Sequence, residues 1–337
     1  MVTTDVRKKR NGRIRPLLCL MFAVIVAVQW GFMGCGKADA ALTVDPFRYS
    51  ERYSAVLYDN RSGLPTSEAN AIEQTSDGFI WIGSYAGLIR YDGNTFEHFD
   101  SSMGISNVRC LYVDSRDRLW IGTNDSGVFL SSKGEIRTWN KGDGLKSISI
   151  RAIAEDADGA IYVATVAGIA RIDAELNLSV LQDERIAGQS IRDIRRGCDG
   201  LIYGLSEAGD LFTVEKNELR FFLSHEECRV QGILSIFPDP KRAGVLYLGT
   251  ENSQVFYGNL ERNFSSMGVK DISPLRNVER FEAINNQIWI CAGNGIGRLD
   301  SEGFHSLDNT PMNNSVGHVM TDYEGNLWFT STRQGVM

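Results

Sequence analysis

Proline is scarce in this chain, 7 residues against 34 glycines in 337. That balance argues against Pro-rich linkers and for many tight turns between short strands. Histidine is as rare, with four in the whole chain and no HxxxxH or HxH spacing. The pattern therefore supports no clustered-histidine metal centre or hydrolytic dyad, and no catalytic residue is assigned. Beyond the N-terminal segment, Cys110, Cys198, Cys228 and Cys291 are scattered without CxxC or Cys/His spacing, so neither a metal nor a cofactor is expected. Cys110 and Cys291 sit in apolar strand patterns and read as small buried hydrophobes, although an oxidising compartment would allow a disulfide. Basic charge is short as well. Of 35 basic and 42 acidic residues the first forty positions hold seven and two, leaving 28 against 40 and a net charge of -12. So acidic a surface excludes nucleic acid and an anionic membrane face as partners.

What is present begins with a segment unlike the rest. "RKKRNGRIRP" carries six basic residues, and the twelve-residue apolar run "LLCLMFAVIVAV" follows it. Residues 1–40 read as a signal peptide cleaved after "ADA", or as an uncleaved anchor if the apolar stretch runs on to Met33. "FMGC" at Cys35 is a poor lipoprotein box, because bulky residues precede the cysteine. The remainder, 41–337, is expected outside the cytoplasm, on the periplasmic or extracellular side and associated with the membrane.

That remainder repeats. "FIWIGS", "RLWIGT", "AIYVAT", "LIYGLS", "VLYLGT", "QIWICA" and "NLWFTS" place Trp81, Trp120, Tyr162, Tyr203, Tyr247, Trp289 and Trp328 at intervals of 39, 42, 41, 44, 42 and 39 residues. Ala69, Val108, Ile150, Ile191 and Val316 each stand twelve residues before their aromatic, with a second apolar residue three later. Between the two lies a turn such as "TSDG", "DSRD", "DADG" or "DYEG", where Asp caps and Gly takes positive φ. A second Gly turn and a short fourth segment ("TFEHF", "EIRTW", "ELRFF", "FHSL") complete four strands per unit. Seven such units predict an all-β, seven-bladed propeller. The aromatics are read as wedge-filling core rather than sugar platforms. The last unit stops at "QGVM", so "YSAVLY" at 53–58 is expected to supply its outer strand and close the ring, and the short blade suggests a chain cut within a longer protein.

"GLPTSEANAIEQTSDGFIWIGSYAGLIRYDGNTFEHF", "VRCLYVDSRDRLWIGTNDSGVF" and "SVGHVMTDYEGNLWFTSTRQGV" resemble the two-component regulator propeller repeat. The resemblance implies an extracytoplasmic sensor region of a receptor whose output is a histidine kinase or a GGDEF diguanylate cyclase. Neither a second apolar run of membrane length nor a "GGDEF" motif occurs between residues 41 and 337. "GNGIG" at 293–297 lacks the lysine and helix of a phosphate loop and falls where each unit has its second turn. Asp114, Asp156 and Asp322 read as turn caps rather than calcium ligands.

The second turns gather on one face of a propeller and differ in every unit, which makes Ser84, Tyr85, Asn124, Asp125, Glu207, Glu251, Asn252, Asn294 and Arg333 the candidate ligand contacts. The expected ligand is a small molecule or carbohydrate, with a homodimer as one mode of signalling. Two alternatives stand beside the sensor: a secreted lyase-like propeller enzyme and a protein-interaction platform. Among the histidines, His98 is placed on an exposed strand face, His225 and Glu226 point apart, and His305 and His318 are read as equivalent positions of different strands.

Overall fold

The structure, a computed structural model, describes residues 53–337. The signal or anchor expected over 1–40 lies outside the described residues. Contacts divide the chain into two units, Met1–Ser54 and Ala55–Met337, and the propeller is the second. Its regular structure is β apart from two single 3-10 turns, Ser101–Met103 and Lys141–Asp143. Seven antiparallel sheets follow in chain order at 71–99, 108–139, 150–180, 191–223, 233–271, 278–306 and 316–336, six of them four-stranded and the last three-stranded. They are blades one to seven.

Every blade buries apolar side chains on both faces, and seven hydrophobic clusters result, one at each boundary between neighbouring blades. The cluster between blades seven and one joins Met320, Trp328 and Val336 to Ile72, Ile82 and Ile89, so the ring is closed by the same packing that holds its other joints. Trp120, Tyr162 and Trp289 are fully buried, while Trp81 is half-buried beneath Phe99.

The repeated turn and the repeated aromatic are one device. Asp114 accepts from the backbone N–H groups of Arg116 and Arg118, each at 3.0 Å, while its other oxygen takes the Trp120 indole N–H at 2.7 Å. Asp322 does the same for Glu324, Asn326 and Trp328. In blade one Thr75 stands in for the aspartate and accepts from Trp81 at 2.9 Å. The turn carboxylate thus satisfies the polar end of a ring whose body is buried.

Two residues after the aromatic, Gly83, Gly122 and Gly249 have a steric reason. A Cβ there would stand 2.6 Å from Val108, 2.7 Å from Ile150 and 2.6 Å from Val278, each the first inner-strand residue of the next blade. Glycine lets the blades approach to that distance.

One expectation is corrected at the closure. Residues 53–58 do not form a strand; a single bridge joins Tyr58 to Val336, with N–H···O distances of 2.7 and 3.0 Å. Tyr58 instead works through its ring, stacked 6.1 Å from Trp328 and edge-on to Phe96 at 5.4 Å.

Candidate functional site

The second turns do lie on one face. Several are tied by backbone hydrogen bonds to the segment entering the next blade: Asn107 N–H to Tyr85 O, Gly127 N–H to Ile148 O, Asn277 N–H to Glu251 O, Ser315 N–H to Gly293 O. The nine candidate residues there separate into roles. Ser84 is buried and its hydroxyl closes its own hairpin on Gly87 O at 2.9 Å, as Thr123 and Thr165 do in their blades. Asn294 fastens the incoming segment through Arg276 N–H and Pro274 O, each at 2.8 Å. Asp125 accepts from the Asn107 amide at 3.0 Å. Tyr85, Glu251, Asn252 and Arg333 are solvent-exposed or partly so. Asn124 and Glu207 point to something the sequence did not show, because both hold arginines of the inner strands: Arg151 donates to Asn124 Oδ1 at 3.1 Å, and Arg192 pairs with Glu207.

Those arginines owe their direction to a backbone irregularity. In blades two to seven the pairing of the innermost strand with its neighbour slips at the same place, leaving Arg109, Arg151, Arg192, Leu234, Glu279 and Gly317 unpaired. A β-bulge re-aims the side chain it carries. Repeated around the ring, it presents one residue per blade at the second-turn end of the central channel, and in three consecutive blades that residue is arginine.

Below this rim the channel encloses about 430 Å³ and is lined by all seven inner strands. Charge is concentrated in it. Asp193, Arg280 and His318 occupy one register level, opposite Leu205, Cys291 and Thr330; Glu73, Arg195 and Glu282 occupy the next, opposite Trp81, Tyr203 and Trp289. Arg195 donates to Asp193 at 3.2 Å and reaches across to Glu282 at 3.9 Å; Arg280 lies 3.8 Å from Glu282, and its buried Nε has no hydrogen-bond partner. Burial pushes the Glu73 carboxyl up to about 7, with Glu282 adding to the rise and Arg280 and Arg195 opposing it. Burial also lowers the His318 imidazole well below its ordinary value, helped by Arg280 and Arg195. His318 Nδ1 accepts from the Ile72 N–H at 3.2 Å, so the neutral ring carries its proton on Nε2.

Residues 63–86 and 102–125 match the family described as two component regulator propeller. The chain carries two component regulator propeller repeats. Each matched stretch runs through an inner strand and the aromatic strand after it, and so contains the rim position, Asn70 or Arg109, and the glycine against the next blade. No curated protein sequence matches the chain. Among solved structures, the extracellular domain assigned to the hybrid two component system BT3049 of B. thetaiotaomicron is similar, with a TM-score of 0.68 at 18% identity, over 83% of this chain and 41% of that one. A streptogramin B lyase structure gives 0.67 at 16% identity over 81% and 93%. PorZ, a surface component of the type-IX secretion system of Porphyromonas gingivalis, gives 0.64 at 15% identity over 84% and 47%. At these identities the likeness is one of fold, and the chain spans less than half the length of the two component and PorZ chains.

In this propeller the histidines are not equivalent, contrary to the sequence reading. His305 lies on the outermost strand of blade six, bonded to Asp300, whereas His318 lies on the innermost strand of blade seven and lines the channel. Strand order within a blade, not sequence neighbourhood, separates them. His225 is bound to Asp210 at 2.9 Å and His98 to Ala86 O at 3.1 Å, both away from the channel lining. The four cysteines among the described residues are free thiols, and burial raises that of Cys110 to about 12. Among the described residues no helix is long and apolar enough to cross a membrane.

Proposed function

We propose that the chain is the extracytoplasmic ligand-sensing propeller of a bacterial signal-transduction receptor, which takes a small molecule or carbohydrate at the second-turn end of its channel. One observation carries this reading: the bulged rim position. Leu234 and Gly317 occupy it in two blades without disturbing the sheet, so its charge is not needed by the fold, yet three neighbouring blades place arginine there and two second-turn residues, Asn124 and Glu207, hold two of them, Arg151 and Arg192, in position. Polar groups fixed on a rigid scaffold above a cavity of this size suit ligand recognition. The family match and the likeness to extracellular domains of two component systems support the sensor class and the location outside the cytoplasm.

The lyase-like alternative has the fold likeness to streptogramin B lyase and a single channel histidine, His318, with one nitrogen already engaged by the backbone. A melting-temperature screen of the full chain against pooled metabolites and oligosaccharides separates the readings. A compound that raises the midpoint and is recovered unchanged supports sensing; one that is consumed points to an enzyme. No stabilising compound, with a protein captured on the second-turn face, would replace the proposal by an interaction platform.

A further inference from the structure

We infer that the ligand of this site is a small di- or tricarboxylate, anchored by one carboxylate on Arg109 and Arg151 at the rim and by a second on Arg280 and His318 inside the channel. The inference rests on the ligand-binding reading above and adds its chemical class.

The exported chain is strongly acidic, so cations gathered at one point run against its overall charge. They gather here. Arg109, Arg151 and Arg192 share the bulged position in consecutive blades, and their hydrogen-bonding capacity is unequally used. Arg192 is engaged by Glu207, and Arg151 spends one nitrogen on Asn124. Arg109 is exposed and makes no hydrogen bond or ion pair among the described residues; it acts on Glu279 of blade six only at a distance. A guanidinium with its fork open matches a carboxylate in two parallel bonds.

One register step deeper, Arg280 is held only loosely by Glu282 at 3.8 Å and keeps an unpartnered Nε, while Arg195 is already taken by Asp193. His318 adds a neutral N–H donor at the same level as Arg280, because the Ile72 N–H occupies its other nitrogen. Rim anchors on blades two and three and inner anchors on blades six and seven stand at adjacent levels, about 3.3 Å of rise apart, so a ligand with two carboxylates bridges the channel between them. Glu73 and Glu282 lie one alternate position further down beside Arg195, so that level is mixed in charge. Glu279, at the bulged position of blade six, competes with the anion for Arg109. A neutral sugar would leave these cations desolvated and unpaired, which is costly.

The test is calorimetric titration of the full chain with citrate and succinate, and with glucose and sucrose as neutral probes. Citrate or succinate binding that falls about tenfold to a hundredfold in Arg109→Ala and in Arg151→Ala, and is unchanged in Arg262→Ala on an outer turn of blade five, supports the inference. Arg109 is exposed and unpaired, so its variant is expected to fold; Arg280→Met, checked by its melting curve, probes the inner anchor. Carboxylate binding indifferent to Arg109 and Arg151 overturns the inference, as does the absence of carboxylate binding at millimolar concentration. If the neutral sugars bind instead, the carboxylate assignment falls while the sensing proposal stands.

Discussion

Glu73 lies at the second charged level of the channel, with Arg195, Asp193, Arg280, Glu282, Tyr112 and His318 around it, and burial lifts its carboxyl from 4.5 to about 7. Replacing it with glutamine removes the titration and little else, since the two side chains have nearly the same shape. The sign follows from linkage. A carboxyl whose pKa is higher folded than unfolded holds its proton longer in the folded state, so its contribution is complete below pH 4.5 and is lost as the pH rises to about 7. At about 1.4 kcal/mol per pH unit the gap amounts to roughly 3 kcal/mol, and water in the channel, onto which the half-buried side chain opens, screens this towards roughly 1 kcal/mol. Urea unfolding of the full chain and of Glu73→Gln is the assay. Asp210, Asp239, Asp300 and Asp322, whose carboxyls are held low, titrate alike in both proteins and cancel in the difference. The variant is expected to match the parent near pH 4 and to exceed it by about 1 to 3 kcal/mol near pH 8, with the change falling inside the window. A difference that stays flat with pH, or that opens on the acid side, would refute a buried, proton-holding Glu73.

Trp120→Ala is expected to cost about 3 to 5 kcal/mol, because it empties a fully buried site stacked on Trp139 and strips Asp114 of a 2.7 Å bond; a melt that stays at the parental midpoint would show that Trp120 is not core. Gly335→Ala should open the closure, since a Cβ would lie 2.2 Å from the Tyr58 carbonyl at a φ of 84°. Hydrogen exchange of the parent protein should find the Tyr58 and Val336 amides protected and those of residues 54–57 fast. Protection throughout 54–57 would restore the full outer strand.

The seven-fold repeat was legible because an aromatic recurs in the second strand of every blade, and several blades add the same local devices around it. In blades two and seven a turn aspartate meets a buried ring six residues on, as Asp114 meets Trp120, and in blades one, two and five a glycine lets the next blade in, as Gly122 admits Ile150. Such requirements recur at a fixed period and survive as pattern. The side of the ring that carries the second turns followed from the same period, and so did Asn124 and Glu207 as residues of interest.

The site itself came only from the tertiary structure. Arg109, Arg151 and Arg192 are ordinary strand residues in sequence, about forty positions apart; what unites them is a bulge, a slip in pairing that depends on two strands at once. His318 looked equivalent to His305 until strand order put one on the axis and the other on the rim of the disc. The charged residues that line the channel come from blades one, three, four and six, and the Arg195 to Glu282 contact skips a blade entirely. Closure was half foreseen: Tyr58 does reach Val336, but through a single bridge, and Met320, Trp328 and Ile82 pack together between blades seven and one. Periodicity determined the scaffold, because each blade solves the same packing problem. The chemistry on the axis was decided by which seven residues the closed ring brings face to face.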